Sequence, residues 1–202
     1  EGDIYKALKV NKNCNVVVVG GGTAGLEAAC TAAEVGCNVF VLEKKDHLGG
    51  LSTFISDLPS KTRMKDFPKY LENRASKLDN LYTFLNTEAN VELIKKFKPN
   101  IIVNATGSVP LAPPIKGLKE NLEAGNVSTI FDMINNVNDG KYPDDVCNGK
   151  KVVVIGGGSV GLDVIEYFAP RGAECTIIDM LPQIGMLADP ITKCSMRETH
   201  DK

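Results

Sequence analysis

The stretch VVVVGGGTAG, residues Val16–Gly25, decides the fold of this chain. It is followed by an apolar helix-like segment, a second apolar run and the acid Glu43. The same succession returns without a gap from Val152 to Gly161 and ends in Asp179. The Rossmann dinucleotide fingerprint consists of a strand, a G-x-G-x-x-G turn that opens a helix, a second strand and an acid at the end of that strand. The sequence therefore predicts an α/β fold with two dinucleotide sites.

The first fingerprint gives each glycine a separate role. Gly20 permits the tight turn, Gly22 lets a pyrophosphate approach the backbone, and Gly25 allows close packing of helix on strand. Unpaired N–H groups at the helix N-terminus bind phosphate without a basic side chain. Glu43 is expected to accept hydrogen bonds from ribose hydroxyls. The predicted first site consists of Gly20, Gly22, Thr23, Ala24, Gly25 and Glu43.

The second fingerprint also indicates which nucleotide it takes. A 2′-phosphate would be repelled by the Asp179 carboxylate and would need a neighbouring Arg or Lys. The residues that follow, at positions 180–182, are Met, Leu and Pro. We therefore expect NAD rather than NADP. The predicted second site consists of Gly156, Gly158, Ser159, Val160, Gly161 and Asp179.

Composition argues against several kinds of partner. The 202 residues are 43% apolar and 24% charged, which is ordinary for a globular protein. The formal net charge of -2 provides no field that attracts nucleic acid or an anionic membrane. No apolar run reaches the roughly 18 to 20 residues of a membrane span, and the chain opens with Glu-Gly-Asp rather than a basic and then apolar leader. We expect a soluble, cytoplasmic protein.

The cysteines form no recognisable motif. There is no C-x-x-C pair and no histidine cluster, so we predict no metal site. We interpret all six cysteines as plain thiols: Cys14, Cys30, Cys37, Cys147, Cys175 and Cys194. No cysteine pair follows Gly50 or Gly161, which disfavours thioredoxin-reductase or lipoamide-type chemistry. Without a Ser-His-Asp or paired-carboxylate arrangement, we predict no catalytic side chain and assign the chemistry to cofactors.

Apolar periodicity and turn residues predict the elements. Strands are expected at 16–19, 38–42, 81–85, 101–103, 152–155 and 174–178. Helices are expected at 24–35, 66–78, 91–97, 129–135 and 160–169, the fourth of them capped by Ser128. No strand pattern is visible after Asp179. Because a doubly wound domain needs more than two strands, we expect the chain to be a fragment.

Two short signatures separate the first fingerprint from the second. HLGG at His47–Gly50 resembles the acid-then-Gly-Gly signature of two-dinucleotide-binding flavoproteins, and ATG at Ala105–Gly107 resembles the signature where their chain leaves the FAD domain. In those proteins FAD is bound first and an NAD domain is inserted second. The resemblance adds Gly49, Gly50, Thr106 and Gly107 to the predicted cofactor-binding residues. It implies a Rossmann-like, three-layer FAD/NAD(P)-binding fold, incomplete here.

Within that group the chain resembles the C-terminal half of the old-yellow-enzyme-related NADH:flavin oxidoreductases, of 2,4-dienoyl-CoA reductase and 2-enoate reductase type. The resemblance spans roughly residues 14–186. It implies that NADH delivers hydride to FAD, and that electrons pass through an iron-sulfur cluster to FMN for reduction of an activated C=C bond. The FMN barrel and the cluster are expected only on absent parts of the same polypeptide. Nucleic acid and membrane are not expected partners.

The resemblance also implies a division of the chain. Residues 1–118 are expected to be the N-terminal part of a FAD-binding domain, 119–149 a connector with one helix, and 150–202 a truncated NAD-binding βαβ unit. There are departures: His47 replaces a common Arg, and no flavin-binding Gly-Asp segment follows Asp179. The alternatives are a non-catalytic module that holds ADP or FAD within a larger flavoprotein, and a duplicated NAD-binding fold.

Overall fold

A computed structural model describes residue 9 and residues 13–185 of the chain. The chain forms two compact units, one of residues up to 57 and 61–109, the other of residues 58–60 and 110 onward. Three predictions fall wholly or partly on residues 186–202: the lack of a strand after Asp179, the end of the truncated βαβ unit, and the plain thiol at Cys194. Those residues lie outside the described range. Among the described helices, none is long and apolar enough to cross a membrane.

The first unit alternates strands and helices. Its elements are β1 (Asn15–Val19), α1 (Thr23–Glu34), β2 (Asn38–Leu42), α2 (Gly50–Ile55), a 3-10 helix (Pro59–Lys65) that runs across the division, α3 (Asp66–Ala75), β3 (Leu81–Phe84), α4 (Val91–Lys96) and β4 (Ile101–Asn104). The four strands form one parallel sheet in the order β3-β2-β1-β4. This order, 3-2-1-4, is that of the first four strands of the Rossmann fold, which confirms the predicted fold class.

Apolar residues point to both sides of the central strands, and α1 covers one face of the sheet. On one face Val16, Val18, Val39 and Val41 are at most 2% exposed and pack with Ala29 of α1. Small residues on α1, such as Ala29 and Ala33, let the helix lie close to the sheet. The result is a layered core in which β1 is enclosed.

The opposite face is held by aromatic stacking. The Phe97 ring, just after α4, lies 4.7 Å from the Phe40 ring and 5.5 Å from the Phe84 ring, centroid to centroid. Phe40 in turn stacks on Tyr82 at 5.5 Å. These contacts tie the end of α4 to β2 and β3.

The second unit contains the second fingerprint. Its elements are α5 (Leu118–Glu123), α6 (Ile130–Asn138), α7 (Asp144–Cys147), β5 (Lys151–Ile155), α8 (Ser159–Phe168), a 3-10 helix (Ala169–Arg171) and β6 (Glu174–Ile178). β5 and β6 pair in parallel, with Lys151 opposite Glu174. α8 connects them, so this part is the βαβ unit that the sequence predicts.

Two sequence expectations about the connector are wrong. It contains three helices rather than one, because α5 and α7 are only 6 and 4 residues long and too short to show a period. The cap of α6 is Thr129, not Ser128. Thr129 and Asp132 form a capping box, in which each side chain bonds the other's backbone N–H.

Candidate dinucleotide-binding sites

The first glycine turn is shaped by backbone contacts that no side chain would fit. Gly20 has a φ of 104°, in the left-handed region, and a Cβ there would lie 2.3 Å from the carbonyl oxygen of Ala105. A Cβ on Gly25 would lie 1.9 Å from the carbonyl oxygen of Gly20. Both glycines are therefore required by the fold itself. α1 then starts at Thr23, directly above the turn.

Gly22 differs from these two, because the space beside it is open. A Cβ on Gly22 would meet only the Cα of Gly50, at 3.8 Å. Gly22 is the N-cap of α1, and no side chain caps that helix end. The first N–H groups of α1, which include those of Thr23 and Ala24, therefore have no side-chain acceptor. An uncapped helix N-terminus beside open backbone is suited to an anionic group.

Gly49 and Gly50 lie against this turn. The N–H of Gly49 donates to the carbonyl oxygen of Gly21 at 2.9 Å, and Gly49 forms a β-bridge with Gly22. Gly49 and Gly50 have φ values of 92° and 58°, and a Cβ on Gly50 would approach the Cα of Gly22 to 2.8 Å. The Gly-Gly signature is thus packed against the first fingerprint, where only glycine fits.

Glu43 ends β2 and reaches back to the turn. Its side chain is buried at 7% exposure and accepts two backbone hydrogen bonds, from Gly21 at 2.6 Å and from Lys45 at 2.8 Å. A carboxylate has about four lone-pair positions, so these two hydrogen bonds use about half of them. The acid is held in a fixed place beside the glycine turn.

Thr106 and Gly107 lie at the adjacent strand end. The N–H of Ala105 donates to Val19 at 2.8 Å, which continues the pairing of β1 and β4 past the sheet. Thr106 donates to Asn104 from its hydroxyl at 3.0 Å, and both Thr106 and Gly107 are exposed. The structure therefore gathers the ten predicted residues of the first unit around the carboxyl ends of β1, β2 and β4.

The second turn repeats the first. Gly156 also has a φ of 104°, and a Cβ on Gly161 would lie 2.0 Å from the carbonyl oxygen of Gly156. Around Gly158 a Cβ would meet nothing within 4 Å. The exposed residues Ser159 and Val160 begin α8, whose N-terminus also lacks a side-chain cap. As in the first turn, one glycine, Gly161, is required by close packing, and another, Gly158, has open space beside its backbone.

Asp179 follows β6 and takes the position of Glu43. Its carboxylate accepts hydrogen bonds from the N–H of Leu181 at 2.7 Å and from the N–H of Gly157. These backbone hydrogen bonds, Leu181 first and then Gly157, lower the pKa of Asp179 below its ordinary value. The group is negatively charged at neutral pH, which suits ribose hydroxyls and opposes a phosphate.

Sequence reasoning missed three contributors. The middle glycines Gly21 and Gly157 donate the hydrogen bonds that position the two acids. Each glycine precedes its acid by the same number of residues, so this repeated spacing could have indicated the pairing. The Ser52 hydroxyl lies 3.0 Å from that of Thr23 at the start of α1, a contact with no signal in the sequence. As ligands of a cofactor, all these residues remain predictions.

The fold and the paired turns define the class: a Rossmann-like α/β protein with two dinucleotide-type glycine loops. The chain belongs to the pyridine nucleotide-disulphide oxidoreductase family, whose model matches residues 60–202. A second model, FAD dependent oxidoreductase, matches residues 15–77. FAD and NAD are accordingly the cofactors, as predicted.

Similar proteins agree with this assignment. The chain is 39% identical to an NADH oxidase of Thermoanaerobacter brockii over 93% of its own length and 27% of the relative's. It is 32% identical to a cinnamate reductase of Clostridium sporogenes, over 93% and 26% respectively. A structure of 2-naphthoyl-CoA reductase with 2-naphthoyl-CoA matches 95% of the chain and 27% of that protein, with 29% identity and a TM-score of 0.76.

The chain thus spans about a quarter of the length of these relatives. The matches confirm the predicted resemblance to the FAD/NAD-binding part of old-yellow-enzyme-related reductases. They also confirm a role in flavin-dependent oxidation and reduction. The family name includes disulphide reduction, but no cysteine occurs between Cys37 and Cys147 in this sequence. Neither the Gly49–Gly50 signature nor the Thr106 crossing therefore carries a redox-active cysteine pair.

Proposed function

We propose that this chain is the electron-entry module of a larger NADH:flavin oxidoreductase, with FAD at the first glycine turn and NADH at the second. The observation that carries the proposal is the repeated acid clamp, in which Gly21 binds Glu43 and Gly157 binds Asp179. The Gly49 contact is shared by both turns, since Gly185 donates to the carbonyl oxygen of Gly157 at 2.8 Å. The first turn differs in its second glycine, Gly50, whose place Met186 takes in the second motif, and in the Thr106 crossing after β4. This asymmetry supports different occupants for the two turns.

The residues fit the adenosine and diphosphate parts of both cofactors. Open backbone at Gly22 and Gly158 gives a diphosphate close access, and the uncapped starts of α1 and α8 offer N–H donors. Glu43 and Asp179 hold free lone pairs toward ribose hydroxyls. FAD, when bound, supplies the ring that accepts hydride. The chain's own residues bind and orient the nucleotide ends.

The second site is proposed to select NADH over NADPH. The Asp179 carboxylate stays ionised, since its pKa is lowered, and it would repel a 2′-phosphate. Met180 beside it is fully exposed and uncharged, so no cation there balances such a phosphate.

The substrate of the whole protein is proposed to contain an activated C=C bond, as in an enoate or a dienoyl-CoA thioester. This rests on the likeness to proteins named cinnamate reductase and 2-naphthoyl-CoA reductase. In the same proposal an FMN barrel of the same polypeptide receives the electrons and reduces the substrate. A cytoplasmic location remains a prediction from the sequence.

The test is an anaerobic titration of the full-length protein with NADH. Bleaching of the flavin absorbance by NADH, and much slower bleaching by NADPH, is the expected result. If flavin is bound and NADH does not reduce it, the proposal fails. Release of ADP in place of FAD on denaturation would support the alternative, a nucleotide-holding module without turnover, and NAD released from both sites would support a duplicated NAD fold.

A further inference from the structure

Cys14 and Cys37 immediately precede two neighbouring parallel strands. The register pairs Asn15 with Asn38, and the N–H of Asn38 donates to the carbonyl oxygen of Cys14 at 2.8 Å. Adjacent strands lie about 4.8 Å apart, which falls within the range of about 4.4 to 6.8 Å between Cα atoms of a disulfide. The backbone therefore already holds the two cysteines at bridging distance.

Both side chains point to the same side of the sheet. Side chains alternate along a strand, and the two cysteines lie two positions before Val16 and Val39, which both belong to the core under α1. Cys37 is a member of that core, and Cys14 is half-buried and packs against it. The two thiols are hydrogen-bonding neighbours.

We propose that Cys14 and Cys37 are an oxidisable dithiol, which a peroxide converts into a disulfide that joins the amino ends of β1 and β2. This site is separate from the first dinucleotide turn, which lies at the carboxyl ends of the same strands. Neither cysteine has a role in the proposed function. The disulfide would close a loop that contains the whole of α1.

The environments of the two thiols decide the order of the steps. Burial, followed by the hydrogen bond with Cys14, raises the pKa of Cys37 and keeps it protonated. Cys14 is the more accessible of the two, and its thiolate attacks the peroxide: an S–O bond forms, the O–O bond breaks and water leaves. The Cys37 sulfur then attacks the sulfur of the Cys14 sulfenic acid: the S–S bond forms, the S–O bond breaks, and the Cys37 proton passes to the departing hydroxyl, which leaves as a second water. Two thiols are oxidised and one hydrogen peroxide is reduced to two waters.

Peptide mapping after peroxide treatment tests this directly. A glutamyl endopeptidase cuts after Glu27 and Glu34, which places Cys14, Cys30 and Cys37 on three different peptides. The protein is treated with hydrogen peroxide, denatured in the presence of iodoacetamide so that buried thiols are also blocked, and digested at acid pH. The expected product is the Cys14 peptide linked to the Cys37 peptide, with loss of two hydrogen masses. Alkylation of the two cysteines falls in parallel, and dithiothreitol restores it.

Two variants make the result specific. In Cys14→Ser, Cys37 should stay fully alkylatable after the same treatment. In the matched control Cys30→Ala, which removes a buried thiol of α1, the Cys14–Cys37 link should form as before. Linkage of Cys14 to another cysteine, oxidation of Cys14 while Cys37 stays free, or oxidation of Cys37 in Cys14→Ser would each overturn the proposal.

Discussion

The backbone N–H of Gly21 donates a 2.6 Å hydrogen bond to Oε2 of Glu43. It joins the turn after β1 to the end of β2, although a whole helix separates the two residues in sequence. The equivalent bond joins Gly157 to Asp179 in the second unit. The acid of each fingerprint therefore closes its glycine turn, and the proposed contact with the ribose would be a second role of the same side chain.

Replacement of Glu43 by Gln should weaken FAD binding. The amide keeps the shape, but it loses the charge and offers one oxygen where Gly21 and Lys45 both donate. Hydrogen bonds to charged groups contribute about 1.5 to 3 kcal/mol, so we expect the affinity for FAD to fall roughly 10- to 100-fold. Fluorescence titration of the apo-protein with FAD measures this.

The matched control for that variant is Asp46→Asn. Asp46 is also an acid near the end of β2, but its side chain is 78% exposed and pairs only with His47 beside it. FAD affinity should not change in this variant. Equal losses in both variants, or no loss in Glu43→Gln with the fold retained by circular dichroism, would contradict the role given to Glu43.

The nucleotide preference should reverse in the double variant Asp179→Ala with Met180→Arg. The first change removes the carboxylate that repels a 2′-phosphate, and the second places a guanidinium on a fully exposed neighbouring position. We expect the Kd of NADPH to fall below that of NADH, measured by calorimetry. The single variant Met180→Gln, which adds no charge, serves as control and should keep the preference for NADH.

Two glycines of the second turn should respond in opposite ways to alanine. A Cβ on Gly161 would overlap the carbonyl oxygen of Gly156 at 2.0 Å, so Gly161→Ala should lower the melting temperature strongly or prevent folding. A Cβ on Gly158 meets nothing within 4 Å, so Gly158→Ala should keep its stability within about 1 kcal/mol. The added methyl group would instead block close approach of a diphosphate, so NADH binding should weaken. A stable Gly161→Ala would show that packing is not its role.

Much of this fold can be predicted from sequence because its signals are local. β2 and β6 have the bounds that the apolar runs predict, since a glycine lies two residues before each strand and an acid directly follows it. The turn glycines are equally predictable, as their left-handed φ and close contacts follow from the motif. The connector is not, because helices of 4 to 6 residues leave no periodicity to detect.

Side-chain contacts between distant elements escape the sequence for a different reason. Arg74 contacts Glu34 and Glu27, which lie 40 and 47 positions earlier, and only the folded sheet brings α1 and α3 together. Arg74 is not an ordinary exposed helix charge, since its side chain is 21% exposed. The Cys14–Cys37 pairing is similar, because it depends on the register of β1 and β2.

Removal of this ion cluster should destabilise the first unit. Arg74 binds Glu34 through two parallel hydrogen bonds of 2.6 and 2.7 Å and binds Glu27 at 2.9 Å. Arg74→Met should lower the free energy of unfolding by about 1 to 2 kcal/mol. This is less than the loss of a buried hydrogen bond to a charged group costs, because both glutamates are partly exposed. Urea denaturation measures this. Arg63→Met is the matched control, since Arg63 is 94% exposed, and it should change little.

The same cluster sets a pH dependence. The hydrogen bonds from Arg74 lower the pKa of Glu34 in the folded protein. A carboxyl group whose folded pKa is below its unfolded value stabilises the fold above the unfolded pKa, about 4.3 for Glu, and this stability is lost as the pH falls toward the folded pKa. The stability difference between the wild-type protein and Arg74→Met should therefore be constant from neutral pH to about pH 5 and should shrink below pH 4. A difference that grows on acidification would show that Arg74 stabilises the fold by packing and not through ionised Glu34.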